Sequence, residues 1–174
     1  MLLDLHCEKK YDSIPINIQF VRKCFNVHED LEDSYIEKLL KIACEKLESI
    51  TGSSVIEKDW VLTAKRVEIK LFKGPVRNVS SISVKTRNGT YKTIPVEDYY
   101  QKINLGNRII ILSEKYMDKI IKVNYSAGYR VNELPGDLES YILRMFGDLY
   151  NGNMESKAEE YKVSKSYTMN EIRI

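Results

Sequence analysis

This sequence predicts an α+β fold: two main helices, about 32–50 and 135–150, with an antiparallel β region of about five or six strands between them. Three observations predict it. Apolar residues recur at helical spacing up to Gly52. They alternate with polar residues from Ser53 to Tyr125. They return to helical spacing after Pro135.

The first element expected is a short helix within Ile14–Phe25. Asn17 can cap it, and Ile18, Val21 and Phe25 share one face. The run HEDLEDSYIEKLLKIACEKLESITG is the clearest helix in the chain. Asp30 is the expected N-cap, and Glu32 and Asp33 suit the positive end of the helix dipole. Ile36, Leu39, Leu40, Ala43, Leu47 and Ile50 form the buried stripe, and Gly52 is placed to end the helix. Glu37, Lys38, Lys41, Glu45 and Lys46 form a solvated face, with Glu37 and Lys41 in the favourable i,i+4 order.

Strands follow. Trp60, Leu62 and Ala64 alternate with polar neighbours, then Val67, Ile69 and Leu71, before Gly74-Pro75 breaks the run. Ile82 and Val84 alternate with serine and lysine. Asn88-Gly89, between SISVKTR and TYKTI, is a type I′ hairpin signal. Ile109–Leu112 and Ile120–Tyr125 complete the set. Gly128 sits where the last strand must turn, and Pro135 fits the first turn of a helix. On that helix Leu138, Tyr141, Ile142, Met145, Phe146 and Leu149 recur at helical spacing. Gly147 interrupts it at a cost of about 1 kcal/mol relative to alanine, so either close packing compensates or the helix has a weak point there. The chain shows no internal repeat.

The expected organisation is a domain over 1–152 and a flexible C-terminal tail over 153–174. The tail's Tyr161, Val163, Tyr167, Met169 and Ile172 are too sparse to offset the entropy of ordering. A short helix from Glu155 and strand addition to a partner's sheet edge are both open for it.

Composition bounds the function. The 174 residues are 43% hydrophobic and 30% charged, the profile of a globular protein. A formal net charge of +2 advertises neither a nucleic-acid binder nor a polybasic membrane module. No apolar run approaches the roughly 20 residues of a membrane span, and the start MLLDLHCEKK lacks a signal-peptide pattern. A cytoplasmic setting is expected. Cys7, Cys24 and Cys44 are widely spaced and read as small core or half-buried residues. His6 and His28 are the only histidines, and no P-loop, dinucleotide glycine signature or G-x-S-x-G is present. The sequence offers no nucleophile, base or metal set, so no enzyme, cofactor or metal site is expected.

The ordered series of motifs carries more information. The segment Ile121–Gly152 runs from a strand through Tyr125-x-Ala127-Gly128-Tyr129 to Leu134-Pro135 and an apolar helix ending Leu149-Tyr150. Upstream stand Phe20-Val21, the acidic linker His28–Asp33, Ile50-Thr51-Gly52, Trp60, the LFKGPV run Leu71–Val76, Ser80–Gly89 and Asp98-Tyr99. This order resembles the head–tail connector (adaptor, or head-completion) proteins of tailed bacteriophages, also found in prophages and gene transfer agents. The likeness runs from about Ile16 to Asn151. It departs from the family after Tyr150, where Asn151-Gly152-Asn153 stand in place of a frequent arginine.

The resemblance implies a structural virion protein at the head–tail interface, assembled in the host cytoplasm. It implies a ring of ~12 copies, matched to a portal protein and followed by a tail or stopper protein, with DNA only passing through the channel. A DNA-binding or packaging accessory is one alternative, since Lys65, Arg66, Lys70, Lys73, Arg77, Lys85, Arg87 and Lys92 make the β region locally basic. A tail-completion protein is another. The candidate subunit or portal contacts are Trp60, Tyr141, Phe146, Tyr150, Tyr161, Tyr167 and Ile172. Trp60 reads more as a packing residue than as a partner contact, and the strand-end tyrosines Tyr125 and Tyr129 read as fold residues. Tyr141, Phe146 and Tyr150 spread apolar surface over more than one face of the last helix, more than one small core needs, so core packing and a partner surface are both open for it.

Overall fold

Asn17 caps the first helix through its side-chain oxygen, which accepts from the backbone N–H groups of Gln19 (2.8 Å) and Phe20 (3.4 Å). In this computed structural model, which describes residues 1–104 and 107–152, that helix is α1 (Ile18–Phe25). The tail expectation for 153–174 lies outside the described residues. A loop leads to α2 (Asp33–Thr51), which ends at Gly52 in the left-handed region, φ 69°, with its N–H on the Glu48 carbonyl. The Glu48 carboxylate turns onward and accepts from the backbone N–H of Val55 and Ile56, which fixes the exit from the helix. The N-cap is Glu32, not Asp30. Asp30 is taken up locally, its carboxylate 3.1 Å from His28 Nδ1. Lys41 reaches Asp12 at 2.8 Å, an ion pair between the lead-in segment and α2.

The last helix, α3 (Gly136–Tyr150), starts one residue after Pro135 and carries Asp137 and Glu139 in its first turn. It belongs with α1 and α2 to one compact unit, Asp12–Ile56 together with the described residues from Tyr129 onward. Val21, Ile36, Leu40, Ala43, Cys44, Leu47, Ile142 and Phe146 are its fully buried centre.

The other unit, Met1–Tyr11 and Glu57–Gly128, is built of antiparallel strands. They are β1 (Leu2–Lys10), β2 (Lys58–Ala64), β3 (Glu68–Lys70), β4 (Val76–Lys85), β5 (Tyr91–Thr93), β6 (Tyr99–Asn104), β7 (Asn107–Leu112) and β8 (Ile121–Ala127). A five-stranded sheet has the order β1-β2-β8-β4-β5, and a three-stranded sheet the order β3-β7-β6. The two share one core, with Leu62, Ile82, Ile121, Val123 and Tyr125 from the first and Ile69, Ile110 and Leu112 from the second. β8 shows the cause most plainly: Ile121, Val123, Tyr125 and Ala127 are buried, and the residues between them are not. The Tyr125 hydroxyl donates to the Phe72 carbonyl at 2.8 Å, and burial pushes its phenol well above the usual range.

The expected helices and antiparallel β region are therefore present, with eight described strands instead of five or six. β1 and β6 are the additions. The Asn88-Gly89 hairpin exists but is not type I′. Only Gly89 has positive φ (83°), Gly89 N–H donates to Thr86 O, and Thr86 N–H donates to Thr90 O. That is a three-residue loop with its glycine in the left-handed region.

Candidate assembly surfaces

α3 was the expected partner surface, and the structure divides its aromatic residues. Phe146 is fully buried, so it is a core residue and not a surface contact. Phe25 meets it edge-on, ring centroids 5.1 Å apart at 64°, and Tyr150 stacks on it at 5.8 Å and 10°. Tyr141 and Tyr150 are half-buried and pack against this core. Close packing also accounts for Gly147. A Cβ placed there would stand 2.8 Å from Phe25 Cε1. Glycine in mid-helix is thus the allowance that lets the Phe25 ring reach Phe146.

This makes a sign reversal testable. Gly147→Ala should lower stability by about 1 kcal/mol, because the clash outweighs alanine's better helix propensity. In a Phe25→Ala background the same substitution should raise stability by about 1 kcal/mol. Urea unfolding of the four proteins reads the cycle, and an equal effect in both backgrounds would refute the packing account.

In the β unit Trp60 is half-buried on β2, opposite Cys7 on β1 and Tyr125 on β8, with Lys73 Nζ 5.5 Å from its ring centroid. It packs against the β core along one side. The remaining expected contacts, Tyr161, Tyr167 and Ile172, lie outside the described residues.

The structure brings forward surface residues that sequence reasoning passed over. Val96 (72% exposed), Tyr100 (60%), Ile103 (73%) and Met117 (58%) are large apolar side chains in water around the β6–β7 hairpin. β6 is an outer strand of its sheet, and among the described residues no further strand pairs with it. The base of this hairpin is held firmly. Asp98 accepts from Lys115 Nζ and from the Tyr116 hydroxyl (2.7 Å), and its backbone carbonyl accepts from Ser113 N–H. The Lys115 contact, then the Tyr116 contact, holds the Asp98 carboxyl below its ordinary range. Burial, then the Asp98 bond, pushes the Tyr116 phenol up to about 12. The apolar side chains are thus presented from an anchored frame. The helical unit exposes Phe20 and Tyr35.

Among the described residues, no group of three or more His, Cys, Asp or Glu side chains is placed to hold a metal ion. Among the described residues, no helix is long and apolar enough to cross a membrane. What the geometry offers is surface: an apolar edge, half-buried aromatics and charge.

No family model and no curated protein matches the sequence. Solved structures share the fold. One is the neck of an empty gene transfer agent (GTA) particle computed with C6 symmetry, with a TM-score of 0.73 and 14% identity over 98% of each chain. A second is the virion of a native GTA particle, with a TM-score of 0.70 and 16% identity over 90% of this chain and 88% of that one. A third is the neck of a native GTA particle computed with C12 symmetry, with a TM-score of 0.65 and 15% identity over 86% of this chain and 84% of that one.

Proposed function

We propose that this chain is a structural neck protein of a phage-like particle, a head–tail connector that assembles with copies of itself into a ring. The observation that carries this reading is the match in fold to a GTA neck chain along nearly the whole length of both chains. The six-fold and twelve-fold symmetry of the matched neck assemblies supports a ring. The motif series from Phe20-Val21 to Leu149-Tyr150 supports the same family independently. Its role would be geometric: subunits bridge a portal ring to the next tail-side protein and line a channel through which DNA passes. The position would be the head–tail interface of the virion. Trp60, Tyr141 and Tyr150 remain candidate contacts, joined by Tyr100 and Ile103.

Co-expression with a portal protein from the same genome, followed by native mass spectrometry and electron microscopy, tests the reading. A ring of ~12 copies stacked on the portal is expected. Co-purification with tail protein alone would favour a tail-completion role. A monomer that binds duplex DNA with steep salt dependence would favour the packaging accessory.

A further inference from the structure

The near-neutral total charge conceals two units of opposite sign. Residues 1–11 and 57–128 carry sixteen lysines and arginines against nine aspartates and glutamates. Residues 12–56 and 129–152 carry seven against twelve. Within the β unit five of these cations lie at one end of the five-stranded sheet. On β4 and β5, Lys85 stands opposite Tyr91 and Lys92 opposite Val84. Lys122 on β8 stands opposite Ser83. Arg87 lies in the β4–β5 turn, Lys119 just before β8, and Lys122 Nζ is 4.6 Å from the Tyr91 ring centroid. None of Lys85, Arg87, Lys92, Lys119 and Lys122 has a carboxylate within ion-pair distance among the described residues. β5 is an edge strand, so no further strand covers this corner among the described residues. The helical unit has the complement. Glu29 and Asp30 are exposed in the loop before α2, the Asp30 carboxylate beside His28, and exposed Glu37 and Glu45 follow on that helix's surface.

We propose that this cationic corner docks on the acidic loop at Glu29–Asp30 of a second copy of the chain. The inference rests on the self-assembling ring proposed above and names the contact that closes it. Cations at one end of a sheet repel one another until an opposite charge arrives, over a screening range of about 8 Å. A polyanion such as DNA is attracted to the β unit and repelled by the helical unit's surplus of acids. A second copy is attracted through both. Each copy offers a cationic corner to one neighbour and an acidic loop to the other, a heterologous contact of the kind that generates rings. Complementary charge also fixes which faces meet and speeds encounter.

A charge-swap experiment on the full chain tests this, with self-association measured by native mass spectrometry and sedimentation at about 50 mM and about 500 mM salt. One variant carries Lys85→Glu and Lys92→Glu, the other Glu29→Lys and Asp30→Lys. Each alone should self-associate at least ~10-fold more weakly than the parent. Their equimolar mixture should assemble again, because alternating copies restore every pairing, and high salt should weaken the parent. Parent rings with both variants assembling equally well would overturn the contact while leaving the ring intact. A parent that never self-associates would overturn both. If the Lys85/Lys92 variant loses binding to a duplex oligonucleotide but assembles like the parent, the corner is a nucleic-acid surface and the proposal falls.

Discussion

Phe146→Ala is expected to cost about 3–5 kcal/mol of stability, the largest loss of any single substitution on α3. The side chain has no solvent exposure and is held on two sides, by the Phe25 edge and the Tyr150 face. Truncation removes the transfer energy of a buried ring and leaves a cavity that Gly147, having no side chain, cannot fill. The loss should appear in the dilute monomer and should not vary with protein concentration. Phe146→Leu, which keeps most of the volume, should cost less than about 1.5 kcal/mol. Tyr150→Ala should cost less than Phe146→Ala, because that ring is only half-buried. Denaturation followed by circular dichroism distinguishes the cases. A Phe146→Ala monomer with an unchanged midpoint but no assembly would return the residue to the interface. The consequence for assembly studies is direct: a ring defect in this variant reports a damaged helical unit, while one in Tyr150→Ala can report a contact.

The helices were legible because their signals are local. Asn17 and Gly52 do what their chemistry dictates within one turn, and α2 and α3 fall within about one residue of the expected bounds. The N-cap of α2 was not legible. Glu29, Asp30, Glu32 and Asp33 offer similar chemistry, and contacts to a different helix decide among them. β1 was hidden by a register shift between Leu2 and Asp4, which places Leu2 and Leu5 on the core side and breaks the period of two. β6 was hidden because an edge strand with exposed Tyr100 and Ile103 has no alternation to read. Phe146 was misplaced for a related reason. Its partner Phe25 comes from a helix far earlier in the chain, and periodicity carries no information on that meeting. Charge was the least legible of all. The chain enters the β unit, leaves it and returns, so the opposing excesses cancel in any whole-chain sum and emerge only once each segment is assigned to its unit.

Arg22→Ala is expected to lower stability by about 2–3 kcal/mol, a large effect for a polar residue. The side chain lies on α1, 16% exposed, and its guanidinium gathers the loop that leads to α2. Nε (2.8 Å) and Nη2 (2.6 Å) both donate to Asp33 Oδ1. Nη1 donates to the His28 carbonyl at 3.1 Å, and Nη2 also donates to the Leu31 carbonyl. One planar group therefore satisfies two loop carbonyls and the first residue of α2, and this contact sets the start of that helix. Asp33 is half-exposed, so its ion pair is screened and adds little beyond the hydrogen bonds. The greater part of the effect comes from the carbonyls, which lose a charged donor. Arg22→Lys keeps the charge but not the fork, and should recover less than half of the loss. High salt should change the parent's stability little, because the geometry and not the net attraction carries the contact. Thermal and urea unfolding of the three proteins at low and high salt would show this. Full rescue by lysine would mean that charge alone suffices. A loss under about 0.5 kcal/mol in Arg22→Ala would mean that the loop holds its own shape without the guanidinium.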